Sequence, residues 1–560
     1  MASGKQLPIG IVGGGPAGLM LAIELGAFGV PCVVLEEDVE PPWFPKANSS
    51  TARTMEHYRR HGFAGEIRSV GLPLDYPQDI AYFTRYTGGF ELARLRGASR
   101  RQALSAGNDD PMWPTPEPLH RSNQIFIEPV LKKHAEAFET NTILFGWRVA
   151  EIEQTNDQVH VVAENIQNGS RRRFEFSFLA GCDGPRSFVR KSLGIRHAGI
   201  ANEDRAFMGG TMLATRLDAA DFYNVVEGGA AWQFWAVNPD RRSIMIALDG
   251  KSAFTFHTQL PKGGESSLEW VHESIRLTTG KPFDYKIVQM AEWTAGLTLV
   301  AERFQSGRVF LLGDAAHLFT PTGGLGYNTS IEDAANLGWK LAALYQGWGG
   351  AQLIDSYEAE RRPVAIRNTN FARGLANGLG SIPVVPACEE NSEAGRELRK
   401  TLGARLQKHA EDEFNTPGVQ FGTWYESPII PPFESSSAPS QDPYVYSPSA
   451  TPGCRAPHVW LTENHDRCLY DEFGRGFTLL QFDAAKPQDG ALDVASSMNV
   501  PLKHVSVDNA EARRLYDAAF VLVRPDQHVA WRGNRMPANF SKLLEAVCGR
   551  TPATGAKEAT

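Results

Sequence analysis

Ten residues near the N-terminus constrain this chain more than any other stretch. Ile9-Gly10-Ile11-Val12-Gly13-Gly14-Gly15-Pro16-Ala17-Gly18 is a short apolar run that breaks into glycines and reopens as an amphipathic segment ending near Phe28. A second apolar run, Pro31 to Leu35, follows and ends at Glu36. Strand, glycine turn, helix and strand in that order make an α/β unit with a parallel sheet. The glycines at 13, 15 and 18 have the G-x-G-x-x-G spacing. In that context the first permits a tight turn, the second lets a pyrophosphate approach the backbone, and the third lets helix and strand touch. Pro16 and Ala17 open the helix, whose free N–H groups and dipole favour phosphate. Glu36 stands where a carboxylate accepts from ribose hydroxyls, with Glu37 as a competing acid.

Lys5 and the run Leu7 to Ile23 have the outline of a signal peptide, but Gly13 to Pro16 would break its helix. No stretch reaches the ~20 apolar residues of a membrane span. The expectation is a soluble cytoplasmic protein. Its 560 residues exceed one simple core, and 42% hydrophobic with 21% charged residues is a globular balance. A formal charge of -8, spread along the chain, argues against a nucleic-acid partner. Cys32, Cys182, Cys388, Cys454, Cys468 and Cys548 form no C-x-x-C pair and no metal-ligand spacing. They read as buried thiols, and no metal site is expected.

Along the chain, residues 76–114 read as irregular, with a loop at Gly107-Asn108-Asp109-Asp110. Residues 148–179 and 205–300 read as mostly strands, with a helix near Leu268 to Leu277. A helix is expected from Thr329 to Leu344 and another from Asp355. Residues 381–450, with Pro431-Pro432 and Ser435-Ser436-Ser437, read as an extended connector. Strands then follow at Gly476 to Phe482 and Leu502 to Val507, a hairpin at Phe520 to Trp531 and a helix at Asn539 to Val547.

A second glycine motif carries chemistry. Gly307 to Leu312 is an apolar strand running into Gly313-Asp314-Ala315-Ala316-His317. Pro321-Thr322-Gly323-Gly324-Leu325-Gly326-Tyr327-Asn328 comes next, opening a helix. Asp314 at a strand end suits the hydroxyls of a sugar-like chain. The helix start can face an electron-rich ring and stabilise negative charge there.

Together these segments resemble the class A flavoprotein aromatic hydroxylases, with the p-hydroxybenzoate hydroxylase fold. Three further segments match in family order. Arg53 in Ala52-Arg53-Thr54-Met55-Glu56 looks like the family arginine that contacts FAD. Gln124 in Asn123 to Glu128 looks like its flavin-contacting glutamine. Cys182-Asp183-Gly184-Pro185-Arg186 resembles the Asp-Gly motif tied to FAD and NAD(P)H. The resemblance covers roughly residues 8–375. It departs at Lys46, where the family often has Arg, and at Ser330, often Gly. Pro452 to His458 and Leu522 to Asp526 resemble the thioredoxin-like tail of the phenol hydroxylase and hydroxyphenylpropionate hydroxylase branch. Without a C-x-x-C pair that tail reads as structural, supporting a homodimer.

The resemblance implies an α/β fold. A discontinuous Rossmann-type FAD-binding domain (1–75, 115–200, 300–380) is interleaved with a β-sheet substrate domain (76–114, 201–299). A connector (381–450) and a thioredoxin-like α/β domain (451–555) follow. It implies that Gly13, Gly15, Pro16, Ala17, Gly18, Glu36, Lys46, Arg53, Gln124, Asp183, Gly313, Asp314, Pro321, Gly324, Gly326, Tyr327 and Asn328 bind FAD, with Pro321 facing the flavin. The implied reaction is hydroxylation of a phenolic substrate with NAD(P)H and O2, through oxygen addition at flavin C4a. No catalytic base is evident. Asn48 cannot serve as one, and Tyr223, His257 and Tyr327 are candidates by chemistry alone. Trp232-Gln233-Phe234-Trp235 suits either an aromatic pocket or sheet packing. Competing readings are another FAD oxidoreductase, or a flavin-binding redox sensor or scaffold without turnover. A disulfide reductase would need a partner for Cys32, and Trp232 and Trp235 lack the halogenase spacing.

Overall fold

The computed structural model describes residues 6–40, 46–105, 110–201, 203, 205, 207–433, 439–484, 488 and 490–551. Gly107 to Asp109 and Ser435 to Ser437 lie outside the described residues.

A six-stranded sheet holds the N-terminal motif. Its central strand Ile9–Val12 pairs in parallel with Cys32–Glu36 on one side and Phe178–Gly181 on the other. Asn141–Phe145 and Val309–Leu311 extend it in parallel, and Gln305–Ser306 closes one edge. All four residues of Ile9–Val12 are buried, as a strand covered on both faces requires. Helix α1 (Pro16–Ala27) starts with proline in its first turn, where no N–H bond is lost. Helix α2 (Ala52–Arg60) is capped by Thr51, which accepts the Thr54 N–H at 3.2 Å. Helix α3 (Gln124–Glu136) is capped by Asn123, which accepts the Ile125 N–H at 3.0 Å.

A seven-stranded sheet forms a second unit, ordered Lys286–Ala295, Gly210–Asp218, Ala253–Gln259, Arg242–Ala247, Gln233–Val237, Ile80–Phe83, Glu91–Leu95. The last two strands correct the reading of 76–114 as irregular. They are short, and Ile80–Phe83 pairs in parallel with Gln233–Val237, a partner about 150 residues away that local pattern does not reveal. Phe234 and Phe254 pack against Phe222 on one face, where helix α4 (Leu268–Thr278) also lies, its Trp270 Nε1 donating to Thr258 at 3.3 Å. The opposite face carries Tyr82, Trp235, Ile244, His257 and Ala214, which are successive register partners.

Helices α5 (Leu325–Gln346) and α6 (Gln352–Gly380) join the two units. The extended connector expected over 381–450 is corrected by helix α7 (Glu393–Phe414), capped by Ser392. Prolines and serines further along drew that reading. The i, i+4 series Leu402, Leu406, Ala410, buried against the seven-stranded sheet's core, was the overlooked signal. Helix α7 packs on Glu91–Leu95 and reaches the turn at 322–324.

The C-terminal part is a four-stranded sheet ordered Leu502–Ser506, Phe477–Gln481, Phe520–Val523, Val529–Gly533. One parallel pair and two antiparallel pairs carry the layout of a thioredoxin-like unit. Among the described residues no helix is long and apolar enough to cross a membrane.

Candidate functional site

Close packing requires two of the three N-terminal glycines, and the third borders open space. Gly13 has φ +108°, and a Cβ there would lie 2.3 Å from the Cys182 carbonyl oxygen. A Cβ on Gly18 would lie 2.0 Å from the Gly13 carbonyl oxygen, so helix and turn touch backbone to backbone. At Gly15 an added Cβ meets nothing within 4 Å. The fold leaves that space open, and it is the trough a pyrophosphate would occupy. Glu36 lies beside it, accepting the Gly14 N–H and, at 2.9 Å, the Asp38 N–H. Burial raises its carboxyl above the usual range despite those two bonds.

The second motif meets the first across the sheet end. Gly313 is in the left-handed region at φ +56°, where a Cβ would crowd Ser330 Oγ and the Ala17 methyl. Ser330, where the family often has glycine, turns its hydroxyl back to the Gly326 carbonyl at 2.9 Å. Asp314 is exposed to the cleft and makes no hydrogen bond among the described residues. Surrounding protein raises its carboxyl, with His317 and Lys46 acting in opposition. A carboxylate without partners at the cleft floor fits the hydroxyls of a ribityl chain. Gly323 and Gly324, at φ +76° and +64°, bend the chain into α5, whose first-turn N–H groups have no helical acceptor. Pro321 is exposed, and Gly324, Gly326 and Tyr327 are half-buried.

Several expected contacts have other partners. The Arg53 guanidinium donates to Glu56 at 2.8 Å, to Gln527 Oε1 at 2.7 Å and to the Asp526 carbonyl at 2.7 Å. These bonds tie it to the junction with the C-terminal unit. The Asn328 amide accepts the Thr51 N–H (2.8 Å) and donates to the Ser49 carbonyl (3.1 Å) and the Gly324 carbonyl (2.7 Å), locking the start of α5 to the 49–51 segment. Gln124 Oε1 accepts the Ala47 N–H at 3.3 Å, which sets the segment carrying Lys46. Asp183 accepts from Ser187 Oγ at 2.5 Å and the Val189 N–H at 2.9 Å, and burial raises its carboxyl.

The three base candidates separate. The Tyr327 hydroxyl is bonded to Tyr58, and burial raises it well above the usual phenol range. The Tyr223 hydroxyl is 2.8 Å from Tyr76 and pushed up to about 12 by burial. Both are occupied by structural partners. His257 stands apart: its Nε2 is buried without a partner, its ring is edge-on to Trp293 at 6.2 Å, and burial pulls its pKa to about 4. The Trp232 to Trp235 run divides by face. Phe234 packs in the sheet core, while Trp235 stacks on Tyr82 at 5.6 Å on the side away from α4.

Sequence reasoning missed the support beneath Gly313. Asp333 on α5 accepts from the Gly313 N–H at 3.2 Å, from His317 Nε2 at 2.7 Å and from Arg361 Nε at 2.7 Å, all fully buried. Burial opposes its charge, but Arg361 and His317 hold the carboxyl below its usual range. The signal was an acidic pair, Glu332-Asp333, in the first half of α5, with Arg361 in the charged run Glu358 to Arg362 of α6.

The FAD binding domain family matches residues 6–372, and the aromatic-ring hydroxylase C-terminal family matches 449–551. The FAD-dependent monooxygenase opdD of Penicillium oxalicum is 32% identical over 86% of this chain and 95% of that protein. Phenol 2-monooxygenase of a Pseudomonas strain is 26% identical over 95% of this chain and 91% of that protein. The solved structure of the rebeccamycin biosynthetic enzyme RebC with reduced flavin superposes with a TM-score of 0.86 at 32% identity, covering 98% of this chain and 99% of that one. A glycine trough and a partnerless carboxylate thus coincide with matches spanning nearly the whole chain: it belongs to the FAD-dependent aromatic-ring hydroxylases and is a flavoprotein monooxygenase.

Proposed function

We propose that this monooxygenase hydroxylates a phenolic ring, taking electrons from NAD(P)H and one oxygen atom from O2. The observation that carries the reading is the sheet face opposite α4. It places Tyr82, Trp235, His257 and Trp293 together, and the Tyr82 hydroxyl, His257 Nε2 and Trp293 Nε1 are buried there without partners. Aromatic walls with a few unsatisfied polar atoms suit a flat ring bearing hydroxyl groups. The similarity to a phenol 2-monooxygenase supports the same substrate class.

In this reading Gly13, Gly15, Gly18 and the α1 start hold the pyrophosphate, Glu36 the ribose, and Asp314 the ribityl chain. Lys46, Gln124 and Asp183 frame the cleft, and Pro321 to Tyr327 lie against the ring system. Bound FAD supplies hydride acceptance and oxygen activation. The chain's own residues orient the substrate, exclude water and stabilise negative charge at the α5 start. The domain limits 1–75, 115–200 and 300–380 for FAD and 76–114 and 201–299 for substrate belong to the same proposal, with α7 added to the substrate unit. So do a cytoplasmic location and a homodimer.

The test is a panel of phenols scored by NAD(P)H consumption and product mass under isotopic O2. One product oxygen from O2 is expected. Product labelled only from water, or hydrogen peroxide alone across the panel, overturns it.

A further inference from the structure

Helix α7 brings a carboxylate to the flavin-facing turn. The Gly323 N–H donates to Glu413 Oε1 at 2.9 Å. Glu413 Oε2 makes no hydrogen bond. His409 Nε2 lies 3.2 Å from it but is misaligned for one. Beside it, the Arg121 guanidinium is clamped between Trp232 at 4.1 Å and Phe414 at 5.1 Å. Arg121 makes no hydrogen bond among the described residues, and its Nε is fully enclosed. Tyr82 is 0% exposed, and its hydroxyl has no partner. Glu413 is within electrostatic reach of both, opposing the burial that pulls Arg121 to about 10 and adding to the burial that raises Tyr82.

Stacking on two rings stabilises a guanidinium that its surroundings partly desolvate. It does not replace the acceptors that five N–H groups require. A structural cluster would have closed these bonds internally, as the Asp333 and Glu360 clusters do. Two donors and one acceptor are left open next to the flavin turn, and they share one complement: an acidic ring hydroxyl.

We propose that Arg121, Tyr82 and Glu413 recognise and ionise the phenolic hydroxyl of the substrate, an assignment that rests on the hydroxylase reading above. The phenolic O–H bond breaks, the proton passes to Glu413 Oε2, and the electron pair stays on the oxygen. That oxygen is held by the Arg121 guanidinium and the Tyr82 hydroxyl. Among the described residues His409 is the other titratable side chain recorded against Glu413, and it faces the same oxygen that receives the proton.

The FAD-loaded enzyme is titrated with alizarin, a fused-ring dihydroxy dye whose absorption moves to longer wavelength on ionisation. The buffer is set just below the dye's own first ionisation. The wild-type enzyme is expected to bind the dye in its ionised form. Arg121→Met is expected to weaken binding about tenfold or more, the loss of a charge-assisted bond, with the flavin spectrum unchanged. Arg121→Lys should restore part of the ionised signal, and Glu413→Gln, which leaves the bound phenol no carboxylate to take its proton, should lower phenol turnover about tenfold or more. Binding of only neutral dye by the wild type, or ionised binding by Arg121→Met within about twofold of wild type, overturns the proposal. Ionised binding through Arg121 without turnover of any phenol keeps this recognition and removes the hydroxylase reading. Phenol turnover unaffected by Arg121→Met and Glu413→Gln does the reverse.

Discussion

Charged side chains crowd two regions of this molecule, and the regions treat them oppositely. At the junction with the C-terminal unit every charge recorded has its counter-charge. Arg524 donates to both Glu360 oxygens at 2.7 and 2.8 Å and also pairs with Asp526. Lys340 reaches Glu360 at 2.8 Å, and Arg455 and Arg53 both hold Glu56. Burial opposes ionisation of Glu56 and Glu360, yet their arginines keep both carboxyls below the usual range. In the cleft, Glu36, Asp183 and Asp314 are raised above their usual range by the surrounding protein, and none of them forms an ion pair among the described residues. Closed networks hold units together. Open ones leave room for a ligand, at a cost the empty protein bears.

The largest expected effect breaks the closed side. Arg524→Ala leaves Glu360 with Lys340 as its one cation among the described residues and Asp526 without its arginine, and should cost about 3–5 kcal/mol in denaturant unfolding. A loss below about 1 kcal/mol, the value of an exposed pair, would mean that water reaches the junction. Cutting the chain near residue 440 removes Arg455 and Arg524 together. From the motifs alone such a cut should spare flavin binding, because they all precede residue 345. The junction instead predicts that folding fails with it, checked by circular dichroism and flavin content.

On the open side, Gly15→Val should lower FAD affinity about tenfold to a hundredfold, equivalent to a clash of about 1–3 kcal/mol. The empty protein should keep its thermal midpoint, since nothing lies within 4 Å of the new Cβ. A fall in both would show that the glycine serves folding.

Asp314→Asn tests the sign of the cleft charges. A carboxyl raised in the folded state stabilises below its unfolded pKa, and that stability is lost as pH rises through the folded value. At neutral pH the substitution should therefore raise the thermal midpoint of FAD-free protein while weakening flavin retention. Glu360 runs the other way. Its depressed carboxyl contributes stability above the ordinary glutamate value, lost as pH falls through the folded one. A midpoint lowered by Asp314→Asn at pH 7 would reverse the comparison.

The smallest effect belongs to the thiols. Cys454 and Cys468 are buried, unpaired, and pushed up to about 12 by burial, far from a reactive thiolate. The Cys454→Ser, Cys468→Ser double variant should keep turnover per bound flavin within about twofold. A large loss in folded, flavin-loaded protein would give the tail a redox role.

The glycine loop, Glu36, the Gly313-Asp314 pair and the α5 turn were legible in the sequence. Their geometry is local: a positive φ or a missing Cβ belongs to the residue itself. The tail's strands and final helix were legible for the same reason, through period and turn residues over short windows. Long-range features were not. Arg53 sits in a motif that implies flavin contact, but its partners Asp526 and Gln527 lie more than 470 residues away. Ile80–Phe83 is four residues long and is a strand because Gln233–Val237 pairs with it.

The sequence by itself determined where a dinucleotide can meet backbone, because that depends on which residues lack a side chain and where a helix begins. Only the tertiary structure decided which side chains meet at the proposed substrate face. Tyr82, Arg121, His257 and Glu413 come from separate strands, a loop and a helix, and no spacing along the chain relates them. Their common property, polar atoms buried without partners, is a property of the packed surroundings and exists only once those surroundings have closed.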